Sequence, residues 1–163
     1  MPDESREGIP GVVKIDPEPL KAILAVETAQ NLLEVAKDEI NERKYDDSYE
    51  DAKNAIRMAS AAIMYADGYV AKTMEGAYEY FEKKRGDKEL VKEWRDVEIK
   101  SPENRGFVDR LLEALRFKKK KESEEDTKAR KALTLAENFV KSADIIIKSG
   151  AAPAWERTWK RES

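Results

Sequence analysis

From Tyr49 to Tyr80 an apolar or small residue recurs at every third or fourth position: Tyr49, Ala52, Ile56, Ala59, Ile63, Ala66, Val70, Thr73, Ala77, Tyr80. That spacing keeps one face of a 3.6-residue helix apolar for more than four heptads. Large and small residues alternate along most of it, and the small positions let a neighbouring helix come close. Such a helix is a strut in a bundle. The pattern predicts one long helix from about Asp47 to at least Lys72, continuing past Gly68 and Gly76 to Lys84, with a bend near Gly76, where glycine weakens a helix interior.

Two further stripes repeat the design. Ala22, Val26, Ala29, Leu33, Ala36 and Ile40 define a first helix, with Asp16 as its expected N-cap and Pro17 in its first turn. Ala129, Leu133, Ala136, Val140, Ala143 and Ile147 define a last helix, starting near Asp126 or Thr127 and stopped by Gly150. Both step 4, 3, 4, 3, 4. The short turn Arg43 to Ser48 joins the first two helices tightly, so they should pack antiparallel. Leu90, Val91, Trp94 and Val97 mark a short amphipathic segment, and Phe107, Val108, Leu111, Leu112 and Leu115 another apolar helix. Strand-like alternation is absent. The expected fold is all-α, an up-and-down four-helix bundle with one additional short helix. It occupies residues 16–150, between a flexible arm (1–15) and a tail (151–163) that carries Trp155 and Trp159.

With 40% charged residues, the chain exceeds the roughly 25% of ordinary globular proteins. Because its apolar residues fall in stripes, that charge reads as solvated helix faces and not as disorder. The net charge of -3 provides no global attraction to nucleic acid or anionic lipid, so any such contact must be local. Cysteine and histidine are both absent, which excludes disulfides, thiolate nucleophiles, Cys/His zinc sites and imidazole acid/base catalysis. A single glutamine (Gln30) beside abundant Lys, Glu and Arg resembles thermophile usage. No apolar run is long enough to span a membrane, and Met1-Pro2-Asp3-Glu4-Ser5 lacks the start of a signal peptide. The chain is expected in the cytoplasm.

The tract Asn31 to Ala71, with its turn Glu42-Arg43-Lys44-Tyr45-Asp46-Asp47 and the alanine-rich helix Ala52, Ala55, Ala59, Ala61, Ala62, Ala66, resembles the first hairpin of HEPN domains. These are small helical bundles of archaea and bacteria. The closing helix Ala129 to Ile147 is similar to that family's last helix, so the resemblance covers about residues 20–149. Many members are dimeric, metal-independent ribonucleases that carry an arginine, a few variable residues and a histidine. Without histidine the catalytic pair cannot be carried over, and Arg57 and Arg105 lack the required partner. The resemblance therefore implies a non-catalytic or strongly diverged member acting as a binding module.

Several residue groups are candidates for function. Arg116, Lys118, Lys119, Lys120 and Lys121 with Phe117 could grip phosphates, or form a solvated helix end neutralised by Glu122, Glu124, Glu125 and Asp126. Arg57 and Arg105, with Tyr65 and Tyr69 one turn apart and off the core stripe, could line a cleft or an interface; the tyrosines could equally pad the core edge. Trp155 and Trp159 suit docking on the bundle, on a second copy or on a partner. The pairs Glu39/Glu42, Glu79/Glu82 and Glu122/Glu125 have the spacing of magnesium ligands in all-helical nucleotide pyrophosphohydrolases, but such pairs arise by chance in a Glu-rich chain. The leading expectation is a non-enzymatic, HEPN-like interaction module, homodimeric, working with a protein or, less favoured, a nucleic-acid partner, with no catalytic residues, metal or cofactor and no membrane contact. The alternative is an enzyme, either a histidine-free ribonuclease or a magnesium-dependent nucleotide hydrolase.

Overall fold

The computed structural model describes residues 8–99 and 118–148, without the side chains of 118–123. Five helices form among them: α1 (Pro19–Asn41), α2 (Tyr45–Asp67), α3 (Met74–Lys83), α4 (Lys88–Ile99) and α5 (Lys118–Lys148). Two short strands, β1 (Val12–Lys14) and β2 (Tyr69–Ala71), complete the set. The fold is an all-α helical bundle carrying a very small sheet. No helix among the described residues is long and apolar enough to cross a membrane.

The three stripes do the packing. Ala22, Val26, Ala29, Leu33, Ala36 and Ile40 of α1 are buried, as are Ala129, Leu133, Ala136, Val140 and Ala143 of α5. Between them α2 buries Ala52, Ala55, Ile56, Ala59, Ala62 and Ile63, so the small positions admit both neighbouring helices. The α1–α2 hairpin is antiparallel. The Ser48 hydroxyl donates to the Ala36 carbonyl (2.7 Å) near the turn, and the Glu18 N–H donates to the Tyr65 carbonyl (3.2 Å) at the far end. Helices α3 and α4 cover the remaining side with Tyr78, Tyr80, Phe81 and Trp94, of which Phe81 and Trp94 meet Phe139 of α5. These rings pack edge-on, with centroids 4.8 to 6.0 Å apart, the arrangement aromatic quadrupoles favour.

The long second helix does not form as expected. Its stripe is buried as far as Ala66, but the helix stops at Asp67, and Gly68 takes the left-handed conformation (φ 87°) as its C-cap. A Cβ there would lie 2.9 Å from the Ile15 carbonyl oxygen, so only glycine turns the chain at this point. Beyond it, β2 pairs antiparallel with β1, matching Val12 to Ala71, Val13 to Val70 and Lys14 to Tyr69. A new helix then begins at Met74, where the Thr73 hydroxyl accepts the Gly76 N–H (2.9 Å) as an N-cap. Gly76 lies in the first turn of α3 and marks no bend. Ala77 and Tyr80 of the original stripe are again buried, by a separate helix.

Residues 8–15 of the expected arm carry the buried Ile9 and the strand β1. Helix α1 opens at Pro19 after Glu18, later than the Asp16-Pro17 start expected, because Ile15 and Glu18 spend their N–H groups on Gly68 and Tyr65. Helix α5 begins at Lys118, ahead of Asp126. The apolar helix expected over Phe107 to Leu115, the Gly150 stop and the tail with Trp155 and Trp159 lie outside the described residues.

Candidate binding cleft and interface

A cavity of about 280 Å³ opens beside α2, walled by α2, β2, the start of α3 and Trp94 of α4. Three of the residues picked out by lying off the core stripe meet there: Arg57, Tyr65 and Tyr69. Helical spacing brings Arg57, Ala61 and Met64 to one side of α2, and the turn at Gly68 swings Tyr69 back across the opening. Both tyrosines also touch the core, so each pads its edge with one face and lines the cavity as well. Lys21 sits 5.9 Å from the Tyr65 ring centre and Lys84 sits 5.8 Å from that of Tyr69, within the range of a cation–π contact. Arg105 lies outside the described residues.

Arg57 is held in place by a two-pronged ion pair. Its Nε donates to Glu98 Oε1 (3.0 Å) and its Nη2 to Glu98 Oε2 (2.7 Å), while Nη1 reaches Asn54 Oδ1 (3.4 Å). The fork geometry of guanidinium on carboxylate is strong and directional. The hydrogen bonds to Glu98 raise the Arg57 pKa above its ordinary value. Arg57 is thus a charge-compensated wall. Two of the cavity's hydroxyls serve the backbone: Ser60 donates to the Arg57 carbonyl (2.8 Å) and Thr73 caps α3. Among the described residues no carboxylate lines the cavity.

Trp94 and Lys72, which no motif in the sequence points to, complete the site. Trp94 is fully buried and lines the cavity, yet its indole Nε1 has no hydrogen-bond acceptor. Lys72 is exposed at the rim. Next to Trp94 in α4, Arg95 stacks 4.4 Å from the Tyr78 ring centre and binds Glu75 through both η nitrogens (2.9 and 2.7 Å). Burial pushes the Tyr78 phenol up to about 12. The Tyr80 hydroxyl donates to Asp67, which also accepts from Arg85 (3.0 and 3.2 Å); burial and that bond raise the phenol's pKa well beyond its usual range.

A second surface lies on the opposite face of α1 from its core stripe. Leu20, Leu24, Val35 and Ile23 are exposed there at 74%, 61%, 47% and 40%. With Glu27 and Asn31 they follow the same helical side, so these apolar residues form a row and not a scatter.

Among the described residues the pairs Glu39/Glu42 and Glu79/Glu82 do not assemble a metal site. Glu42 binds Lys44 (3.0 Å), Glu79 lies near Lys83 (3.6 Å) and Glu82 near Arg95 (3.9 Å). Among the described residues no group of three or more Asp or Glu side chains could hold a metal ion. Glu39 instead faces Asp51, with Asp47 nearby. Burial, then the proton shared with Asp51, pushes its carboxyl up to about 7. The side chains of Arg116 and Lys118 to Lys121, and those of Glu122, Trp155 and Trp159, lie outside the described residues. Comparison with protein-family models and with curated proteins yields no match.

Proposed function

We propose that this chain is a non-enzymatic, HEPN-like interaction module that acts in the cytoplasm as a homodimer and engages a protein partner. The observation that carries this reading is the exposed apolar row Leu20, Ile23, Leu24 and Val35 on the solvent side of α1. Apolar surface gathered on one helix face costs solubility and is relieved by association. The tight α1–α2 hairpin closed by α5 is in keeping with the HEPN resemblance. The non-enzymatic part is supported by the cleft, where Arg57 is neutralised by Glu98 and the Ser60 and Thr73 hydroxyls serve the backbone.

Sedimentation of the purified chain tests the association. The wild type should sediment as a dimer, and Leu20→Glu with Leu24→Glu should yield a monomer of unchanged helicity. A wild type that is monomeric at every concentration would sink the homodimer. Turnover of RNA or a nucleoside triphosphate that is abolished by Arg57→Ala would overturn the non-enzymatic reading. A retarded RNA band lost on neutralising Lys118 to Lys121 would make nucleic acid the partner instead.

A further inference from the structure

The cleft beside α2 has a chemistry of its own, independent of the α1 face. Its 280 Å³ lies just below the roughly 300–1,000 Å³ of pockets that enclose drug-sized ligands, which leaves room for one ring with small substituents. The walls are flat and polarisable: Tyr65, Tyr69 and Trp94 with Met64 and Met74. Aromatic faces and thioether sulfur both favour an aromatic guest.

The charged groups of the lining favour an anion. Among the described residues Lys72 and Arg57 are the charged side chains of the lining, and no carboxylate joins them. Glu98 already answers Arg57, whereas Lys72 has no ion-pair partner among the described residues. The start of α3 borders the cavity at Thr73 and Met74. Thr73 satisfies the N–H of Gly76, but helix geometry leaves the amides of Met74 and Glu75 without an intrahelical acceptor, at the positive pole of the helix. The indole of Trp94 stands in the cavity wall with its N–H buried, so its resonance reports on the site.

We infer that this cleft binds a small aromatic carboxylate, its ring against Tyr65, Tyr69 and the methionines and its anionic end toward Lys72 and the start of α3. One uncompensated cation and one helix pole match a single negative charge. A phosphate dianion would call for more cations than remain free here.

The test uses the full chain with Trp155→Phe and Trp159→Phe, so that Trp94 is the sole indole. Its N–H resonance is followed by ¹H–¹⁵N NMR during titration with 4-hydroxybenzoate and, separately, with the neutral 4-hydroxybenzyl alcohol. The carboxylate should shift the Trp94 resonance saturably and bind about fivefold more tightly than the alcohol, the worth of one part-exposed charge contact. Lys72→Gln, an exposed substitution that leaves the core intact, should erase that difference. Absence of a saturable shift at millimolar probe would overturn the site. Equal binding of the two probes, or carboxylate affinity untouched by Lys72→Gln, would overturn the anionic class. Neither result bears on the oligomeric state that tests the interaction-module reading.

Discussion

Replacing Gly76 with alanine pits two effects against each other. Gly76 sits in the first turn of α3, and on an unencumbered helix alanine in place of glycine gains up to about 1 kcal/mol. Here a Cβ would lie 2.8 Å from the Gly11 carbonyl oxygen, 2.9 Å from its carbon and 3.1 Å from the Pro10 oxygen. All three are backbone atoms, so no rotamer change relieves the contact, and the segment leading into β1 must move. Overpacking of this kind costs about 1–3 kcal/mol. The displaced Gly11 carbonyl also accepts the Lys72 N–H at 2.7 Å, a bond whose loss costs about 1 kcal/mol more. Crowding wins, and Gly76→Ala should destabilise the protein by about 2 kcal/mol. Urea unfolding followed by far-UV circular dichroism should show a lower midpoint with an unchanged slope. Hydrogen exchange at the Lys72 amide should accelerate. A midpoint equal to or above wild type would refute the reasoning, since helix propensity would then outweigh the β1–α3 contact.

Three further outcomes follow from other parts of the structure. The folded-state pKa of Glu39, about 7, lies above its unbound value of 4.5, so the stability it contributes is full below about pH 4.5 and is lost as pH rises through 7. Glu39→Gln should therefore match wild type near pH 4.5 and exceed it at pH 8 by about 1 kcal/mol, after discounting for solvent screening of a part-exposed group; a gap that fails to widen with pH would refute this. Trp94→Ala should cost about 3–5 kcal/mol, because the indole is fully buried against Tyr78, Phe81 and Phe139, and thermal unfolding would measure it. Tyr49→Phe removes the hydroxyl that donates to the Val97 carbonyl and leaves a buried acceptor unpaired, so a loss of about 1–3 kcal/mol is expected in urea titrations, with α4 exchanging its amides faster.

The stripe from Tyr49 to Tyr80 shows how much was legible in the sequence. Period alone identified the residues that face the core, because a helix returns the same side every 3.6 residues whatever it packs against. Tyr49, Ala52, Ile56, Ala59, Ile63 and Ala66 are all buried, and so are Ala77 and Tyr80 beyond the break. The same holds for the stripe of α1 and for that of α5 as far as Ala143, with Ile147 half-buried. By lying off the stripe, Arg57, Tyr65 and Tyr69 were also recognisable as residues available for something other than packing.

What the sequence could not contain was the partner of each segment. Three residues of β2 form a strand only because β1, more than fifty positions earlier, offers the matching hydrogen bonds. No period survives in so short a strand, and the 3-4 pattern runs straight through it. Gly68 is legible as a glycine, but the approach of the Ile15 carbonyl, which leaves no room for a Cβ, is supplied only by the folded chain. The cleft depends on the same event: the chain reverses at Gly68, brings Tyr69 to Thr73 across the side of α2, and sets Trp94 from a separate helix into its wall. Helical faces were determined locally by residue spacing; the interruption of α2, the small sheet and the cleft it creates were decided by contacts distant in sequence.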